Sequence, residues 1–162
     1  MFGFRKKQAL KVREISLPLV GKIVPLEQVE DEAFSSGVMG KGIAIQPETG
    51  KVFSPFKGKV AHLMDKSKHA IILEDECGFQ ILIHVGMNTV SLKGEGFTAH
   101  VKTGDSIEEG QLLLEFDIAA IEQAGYTVVT PVIVPNGQDK VKSVEVNQGN
   151  TTAETTIRIH LN

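Results

Sequence analysis

The run His69-Ala-Ile-Ile-Leu-Glu-Asp-Glu-Cys-Gly-Phe-Gln-Ile-Leu-Ile-His84 decides the fold. Its two arms are β-branched and apolar and its middle, Asp75-Glu76-Cys77-Gly78, is turn chemistry, so the segment reads as a β-hairpin with a four-residue loop. With Glu74 opposite Phe79, that loop pairs Ile72 with Ile81, Ala70 with Ile83 and His69 with His84. Directly opposed residues carry Cβ atoms about 4.5–5.5 Å apart, near enough for two imidazoles to meet. A loop one residue shorter or longer would change every pair. From the residues alone, a functional pair stands against the alternative of one core and one surface histidine without contact.

Outward from the hairpin, short β-type runs punctuated by Gly and Pro recur along the chain at the close spacing of an all-β protein. Candidate strands on the N-terminal side are Val20–Val24, Gly42–Gln46, Lys51–Ser54 and Gly58–Leu63. On the C-terminal side they are Phe97–Val101, Gln111–Phe116, Val128–Val134, Val141–Val146 and Thr155–His160. Helical pattern is scarce. Asp117–Ala124 has an N-cap residue at Asp117 and a terminator at Gly125, and Asp31–Ser36 suits a single turn. The expectation is a compact antiparallel β-sandwich or barrel with short helical turns.

Composition narrows the function. The chain has 162 residues, 17 Lys and Arg against 20 Asp and Glu, one cysteine, no Trp and one Tyr. A single cysteine excludes an internal disulfide framework and a Cys-rich zinc site, and suits a reducing cytoplasm. No apolar run approaches the roughly 18 residues needed to span a bilayer. The slight acidity and lack of aromatic platforms argue against nucleic-acid binding. The charge is uneven: residues 1–13 carry five basic side chains and no acid, which leaves 12 basic and 20 acidic residues, net −8, in the remainder. A flexible basic tail over 1–14 before a domain at 15–162 is expected. Phe2, Phe4, Ala9 and Leu10 among the basic residues allow either a weak peripheral membrane contact through residues 1–13 or a solubilising tail.

Two adjoining imidazoles suit phosphoryl chemistry. A neutral imidazole is a nucleophile near pH 7, and its neighbour can donate a proton or hydrogen bond to charge developing on a phosphoryl group. They could also hold a metal, but a protein zinc site ordinarily needs a third ligand. Glycine in His84-Val85-Gly86-Met87 lets the backbone fold back toward the ring. His62 is expected in an apolar strand with a structural role, and His100 and His160 at the surface or at strand ends. Cys77, beside Asp75 and Glu76, is expected to have a raised pKa and no nucleophilic role.

The stretches Pro25–Asp31, Phe34-Ser-Ser-Gly-Val-Met-Gly-Lys-Gly-Ile-Ala-Ile45, Lys68-His-Ala70, His84-Val-Gly-Met-Asn-Thr-Val90, Leu92-Lys-Gly-Glu-Gly-Phe97 and Leu114-Glu-Phe-Asp117 together resemble the glucose-class enzyme IIA of the bacterial phosphoenolpyruvate-dependent sugar phosphotransferase system. The resemblance covers about residues 15–160. It implies a cytoplasmic, monomeric phosphocarrier without cofactor, in which His84 takes the phosphoryl group on Nε2 as tele-phosphohistidine. His69 would stabilise that group and Ser67 would orient His69, while Phe34, Val38, Met39, Ile72 and Leu82 would form the docking face. The implied partners are phospho-HPr as donor and a sugar-permease IIB domain as acceptor, met in trans. A regulatory role for the same face is a compatible alternative, and zinc bridged by His69, His84 and a partner carboxylate belongs to that setting. Asn88 replaces the usual Asp, Ser67 replaces the usual Thr, and Leu63–Lys68 is a residue longer than in some relatives and lacks an aromatic.

Two other classes compete. Val101-Lys-Thr-Gly-Asp-Ser-Ile-Glu-Glu-Gly resembles a turn of lipoyl and biotinyl carriers, but the chain is about twice the length of such a module and Lys66 is not centred between strand repeats. A zinc peptidase of related architecture would use a His-x-His pair that this chain lacks.

Overall fold

Period-two alternation builds the central sheet. In β6 (Ala70–Asp75) and β7 (Gln80–His84), Ile71, Leu73, Ile81 and Ile83 are fully buried while Ile72, Leu82 and His84 on the other face are half-buried. The structure, a computed structural model, describes residues 11–162. The other strands are β1 (Val12–Ser16), β2 (Gly21–Val24), β3 (Gly40–Pro47), β4 (Lys51–Phe53), β5 (Gly58–Leu63), β8 (Phe97–Ala99), β9 (Ser106–Ile107), β10 (Leu112–Phe116), β11 (Thr130–Pro135), β12 (Val141–Asn147) and β13 (Thr156–Leu161). They form an antiparallel seven-stranded sheet in the order β2-β3-β11-β7-β6-β5-β9, with three-stranded sheets β1-β13-β12 and β4-β10-β8. The main core lies between them, where Ile71, Leu73, Ile81 and Ile83 meet Val52, Leu114, Phe97 and Phe116 from one small sheet and Ile15, Ile157 and Ile159 from the other.

Among the described residues two short helices interrupt this all-β pattern, α1 (Glu32–Ser35) and α2 (Ile118–Gln123). Both begin at a capping carboxylate, unforeseen at Asp31 and expected at Asp117: Asp31 accepts from the Ala33 amide and Asp117 from the Ala120 amide. Helix α1 and the 3-10 turn Leu26–Gln28 lie on the outer face of the large sheet, where Leu26, Val29 and Phe34 join Ala44, Met87 and Ile133 in a second apolar cluster.

The expected hairpin register is corrected by one residue. Ala70, not His69, opposes His84, and Ile71 opposes Ile83. The loop is three residues, Glu76-Cys77-Gly78, closed by the Asp75 amide donating to Phe79 O at 2.9 Å. Gly78 has φ 96°, the left-handed residue that ends a three-residue hairpin loop, and the Cys77 amide donates to Asp75 Oδ1 at 2.7 Å within it.

The domain boundary also moves. Strand β1 begins at Val12 and pairs along β13 from Val12–His160 to Ser16–Thr156, so residues expected in a flexible tail are part of a sheet. Cross-strand partners over a hundred residues away fix β1, which local pattern does not reveal. The expected membrane-seeking residues Phe2, Phe4, Ala9 and Leu10 lie outside the described residues. Among the described residues no helix is long and apolar enough to cross a membrane.

Candidate functional site

His84 ends β7 and His69 immediately precedes β6. The Val85 amide donates to the His69 carbonyl at 2.7 Å, so His69 continues the ladder opposite Val85, one step beyond His84. His69 therefore shares the parity of the buried Ile71 and is itself only 4% exposed, whereas His84 shares that of Leu82 and is half-buried. The rings nevertheless touch, with centroids 4.7 Å apart and planes at 88°. The expected juxtaposition holds through diagonal neighbours, not opposed ones. Lys68, in the left-handed conformation at φ 56°, precedes His69.

Each ring is held through Nδ1. His84 Nδ1 lies 2.8 Å from Gly86 O, and since a carbonyl only accepts, Nδ1 carries the proton and Nε2 keeps its lone pair. The fold-back that makes this bond uses Gly86 at φ 77°, where a Cβ would lie 2.6 Å from Thr127 O and 2.5 Å from Thr89 Cγ2. His69 Nδ1 is 2.7 Å from the buried Ser67 Oγ. Burial lowers the His84 pKa, opposed by the Gly86 bond and the nearby Asp31 carboxylate. Burial, then the neighbouring His84, brings His69 down to about 4. Both rings are neutral at pH 7.

The expected docking residues divide. Ile72 and Leu82 oppose each other on the face that carries His84, both half-buried, and Val38 and Met39 are 70% and 37% exposed. Phe34 does not belong with them: it is 3% exposed, and its ring packs against His84 with centroids 5.1 Å apart. A side chain closed into the second apolar cluster presents no docking surface, so its assignment to that face is corrected. Val90, 51% exposed at the end of the His84–Val90 stretch, is an apolar surface residue not expected on the docking face, because alternation gives no signal in a 3-10 turn. Asn88 is exposed at φ 60°, a conformation that Asn and Asp tolerate best among residues with a side chain.

The remaining histidines lie elsewhere. His62 is exposed on β5, contrary to the structural role expected of it, while His100 and His160 pair with Glu115 at 3.6 Å and Glu145 at 3.1 Å. Cys77 has its pKa raised, chiefly by burial, with the Arg13 guanidinium 3.1 Å from its sulfur acting in the opposite sense. Among the described residues no three His, Cys, Asp or Glu side chains converge to hold a metal ion.

Comparison with known proteins places this geometry. Residues 13–140 match the family model of the phosphoenolpyruvate-dependent sugar phosphotransferase system, EIIA 1. The glucose-specific EIIA component of Oceanobacillus iheyensis is 42% identical over 150 residues, covering 91% of this chain and 90% of that protein. The beta-glucoside-specific EIIBCA component of Dickeya chrysanthemi is 50% identical over 131 residues, 81% of this chain but 21% of that protein, and the chain spans a similar 20% of the Bacillus subtilis counterpart. The glucose permease IIA of Mycoplasma capricolum superposes with a TM-score of 0.77 at 28% identity, over 91% of this chain and 96% of that one. A β-sandwich with paired, neutral histidines at one end of its central hairpin, matched over nearly its whole length in both sequence and structure, belongs to the EIIA family of the phosphoenolpyruvate-dependent sugar phosphotransferase system.

Proposed function

We propose that this chain is a cytoplasmic phosphocarrier that takes a phosphoryl group from phospho-HPr onto His84 Nε2 and gives it to the IIB domain of a sugar permease. The observation that carries the reading is the bond from His84 Nδ1–H to Gly86 O, which leaves Nε2 unprotonated beside the His69 ring. In the forward step the Nε2 lone pair forms the new N–P bond as the bond from phosphorus to the donor histidine breaks. The positive charge that the His84 ring acquires is stabilised where Nδ1–H meets the carbonyl. His69, with Nδ1 accepting from the Ser67 hydroxyl, carries its proton on Nε2 and donates it as a hydrogen bond to a phosphoryl oxygen. Exposed Val38 and Met39, with half-buried Ile72 and Leu82, supply an apolar rim that excludes water from the phosphoramidate during transfer. The beta-glucoside-specific EIIBCA relatives join EIIA to B and C in one chain, which supports a IIB domain as the acceptor.

The test is labelling from phosphoenolpyruvate through enzyme I and HPr. The wild-type chain is expected to take up one phosphoryl group as tele-phosphohistidine, and His84→Ala none. His69→Gln is expected to accept label but to fail in passing it to a IIB domain. Label retained in His84→Ala overturns the assignment of the acceptor, and normal onward transfer by His69→Gln overturns that of the stabiliser.

A further inference from the structure

Three contacts define where the His84 ring points: the Gly86 carbonyl at Nδ1, the His69 ring at 4.7 Å and the Phe34 ring at 5.1 Å. The first two belong to the phosphoryl chemistry proposed above. The third comes from an element outside the hairpin, the single turn of α1, and from a side chain only 3% exposed.

We infer that Phe34 is a positioning residue for phosphoryl transfer, whose buried ring wedges the His84 imidazole against His69 so that Nε2 faces the incoming phosphorus. This rests on His84 being the acceptor. The wedge is itself fixed. Asp31 caps α1 through the Ala33 amide at 2.9 Å, and Phe34 is packed among Leu26, Val29, Ala44, Met87 and Ile133, so it has little freedom to follow the imidazole if that ring turns. A single hydrogen bond to Gly86 O allows the ring to rock about the Nδ1–O direction; an aromatic body beside it removes that freedom. The interplanar angle of 56° makes the contact a tilted packing of two rings, not a stack that would allow sliding. The titratable groups facing His84 are the His69 ring and the Asp31 carboxylate, the latter on the same turn as Phe34. Phe34 also contributes to the burial that keeps His84 neutral.

A small donor separates positioning from docking. Phosphoramidate presents no protein surface: the His84 Nε2 lone pair attacks its phosphorus, the N–P bond to the donor nitrogen breaks, and ammonia leaves. Phe34→Ala is expected to slow labelling of His84 by phosphoramidate by at least about tenfold, the scale set by loss of a near-attack geometry. Part of the label is expected to move from Nε2 to Nδ1, and Phe34→Leu, which keeps an apolar body in the cluster, should fall between. Titration of 15N-labelled histidine in the free protein should give a His84 midpoint displaced upward, toward the ordinary imidazole value, in both variants. If Phe34→Ala does not fold, Phe34→Leu decides. Unchanged rate, isomer and midpoint in a folded variant overturn the inference, as does slowing seen with phospho-HPr but not with phosphoramidate. A wild-type chain that phosphoramidate does not label at His84 overturns the acceptor assignment itself, a different result from a variant that matches the wild type.

Discussion

An imidazole attacks phosphorus only through an unprotonated nitrogen, and the site meets that requirement by burial. His84 is brought below the ordinary histidine value chiefly by desolvation, and the Gly86 carbonyl and Asp31 limit the fall. His69, more deeply placed, is lowered to about 4 by burial and by the adjacent ring. A lowered folded-state value means that protonation costs more in the folded chain than in the unfolded one. The stability these two residues allow is therefore complete above the unfolded value of about 6.5 and is lost as the pH falls below it. Phosphoryl acceptance should be level from pH 8 to about 6.5 and decline only below, while the His69 NMR midpoint should lie near 4. A rate that halves at 6.5, or a His69 midpoint there, would contradict the burial argument.

At the scale of elements, one glycine sets where the two rings meet and another sets which nitrogen is free. Gly78 at φ 96° shortens the hairpin loop to three residues and shifts the register so that Ala70 opposes His84. Turn composition announces a hairpin here, but it does not distinguish a three-residue loop ending in a left-handed glycine from a four-residue one; that choice depends on one backbone dihedral. The meeting of His69 with His84 was legible all the same, because diagonal and opposed neighbours both lie within reach of an imidazole. The long strands were legible for the same reason as the hairpin, their alternation. The two-residue β9 has too little alternation to read, and β1 depends on β13 at the other end of the chain. The packing of the buried Phe34 ring against His84 was not legible, since burial of α1 is a tertiary fact. Gly86 gives this scale its prediction. Gly86→Ala would keep an L-residue at φ 77° and drive a Cβ against Thr127 O and Thr89 Cγ2, at a cost of about 1–3 kcal/mol in backbone strain. The carbonyl that holds Nδ1 should shift with it, so labelling at His84 should fall sharply while the fold survives. Wild-type labelling in a stable Gly86→Ala chain would show that the carbonyl does not select the nitrogen.

For the whole molecule, the division of charge into a basic first stretch and an acidic body takes on a different meaning once Arg13 is placed. It lies in β1, and its guanidinium reaches the turn of the central hairpin, with Nη2 3.1 Å from Asp75 Oδ2 and Nη1 3.3 Å from Asp75 Oδ1. The Asp75 side chain is wholly buried, and Oδ2 has the ion-pair contact without the alignment of a hydrogen bond. One of the five basic residues in the first stretch is thereby committed to joining a small sheet to the large one at the end of the hairpin opposite to His84. Burial nevertheless raises the Asp75 pKa, with Arg13 acting against that rise. Arg13→Ala would leave the carboxylate buried and unpaired at pH 7, at a cost of about 3 kcal/mol. Because the folded-state pKa of Asp75 would then rise further, its protonated form would be favoured on folding, and the deficit relative to wild type should shrink as the pH falls through that value. The deficit should also shrink at pH 7 when Asp75→Asn accompanies Arg13→Ala, since a neutral amide needs no counter-ion. Urea unfolding of the four chains at pH 7 and near pH 4 measures both effects. A deficit independent of pH and unrelieved by Asp75→Asn would mean that Arg13 acts through the packing of β1 and not through the buried charge.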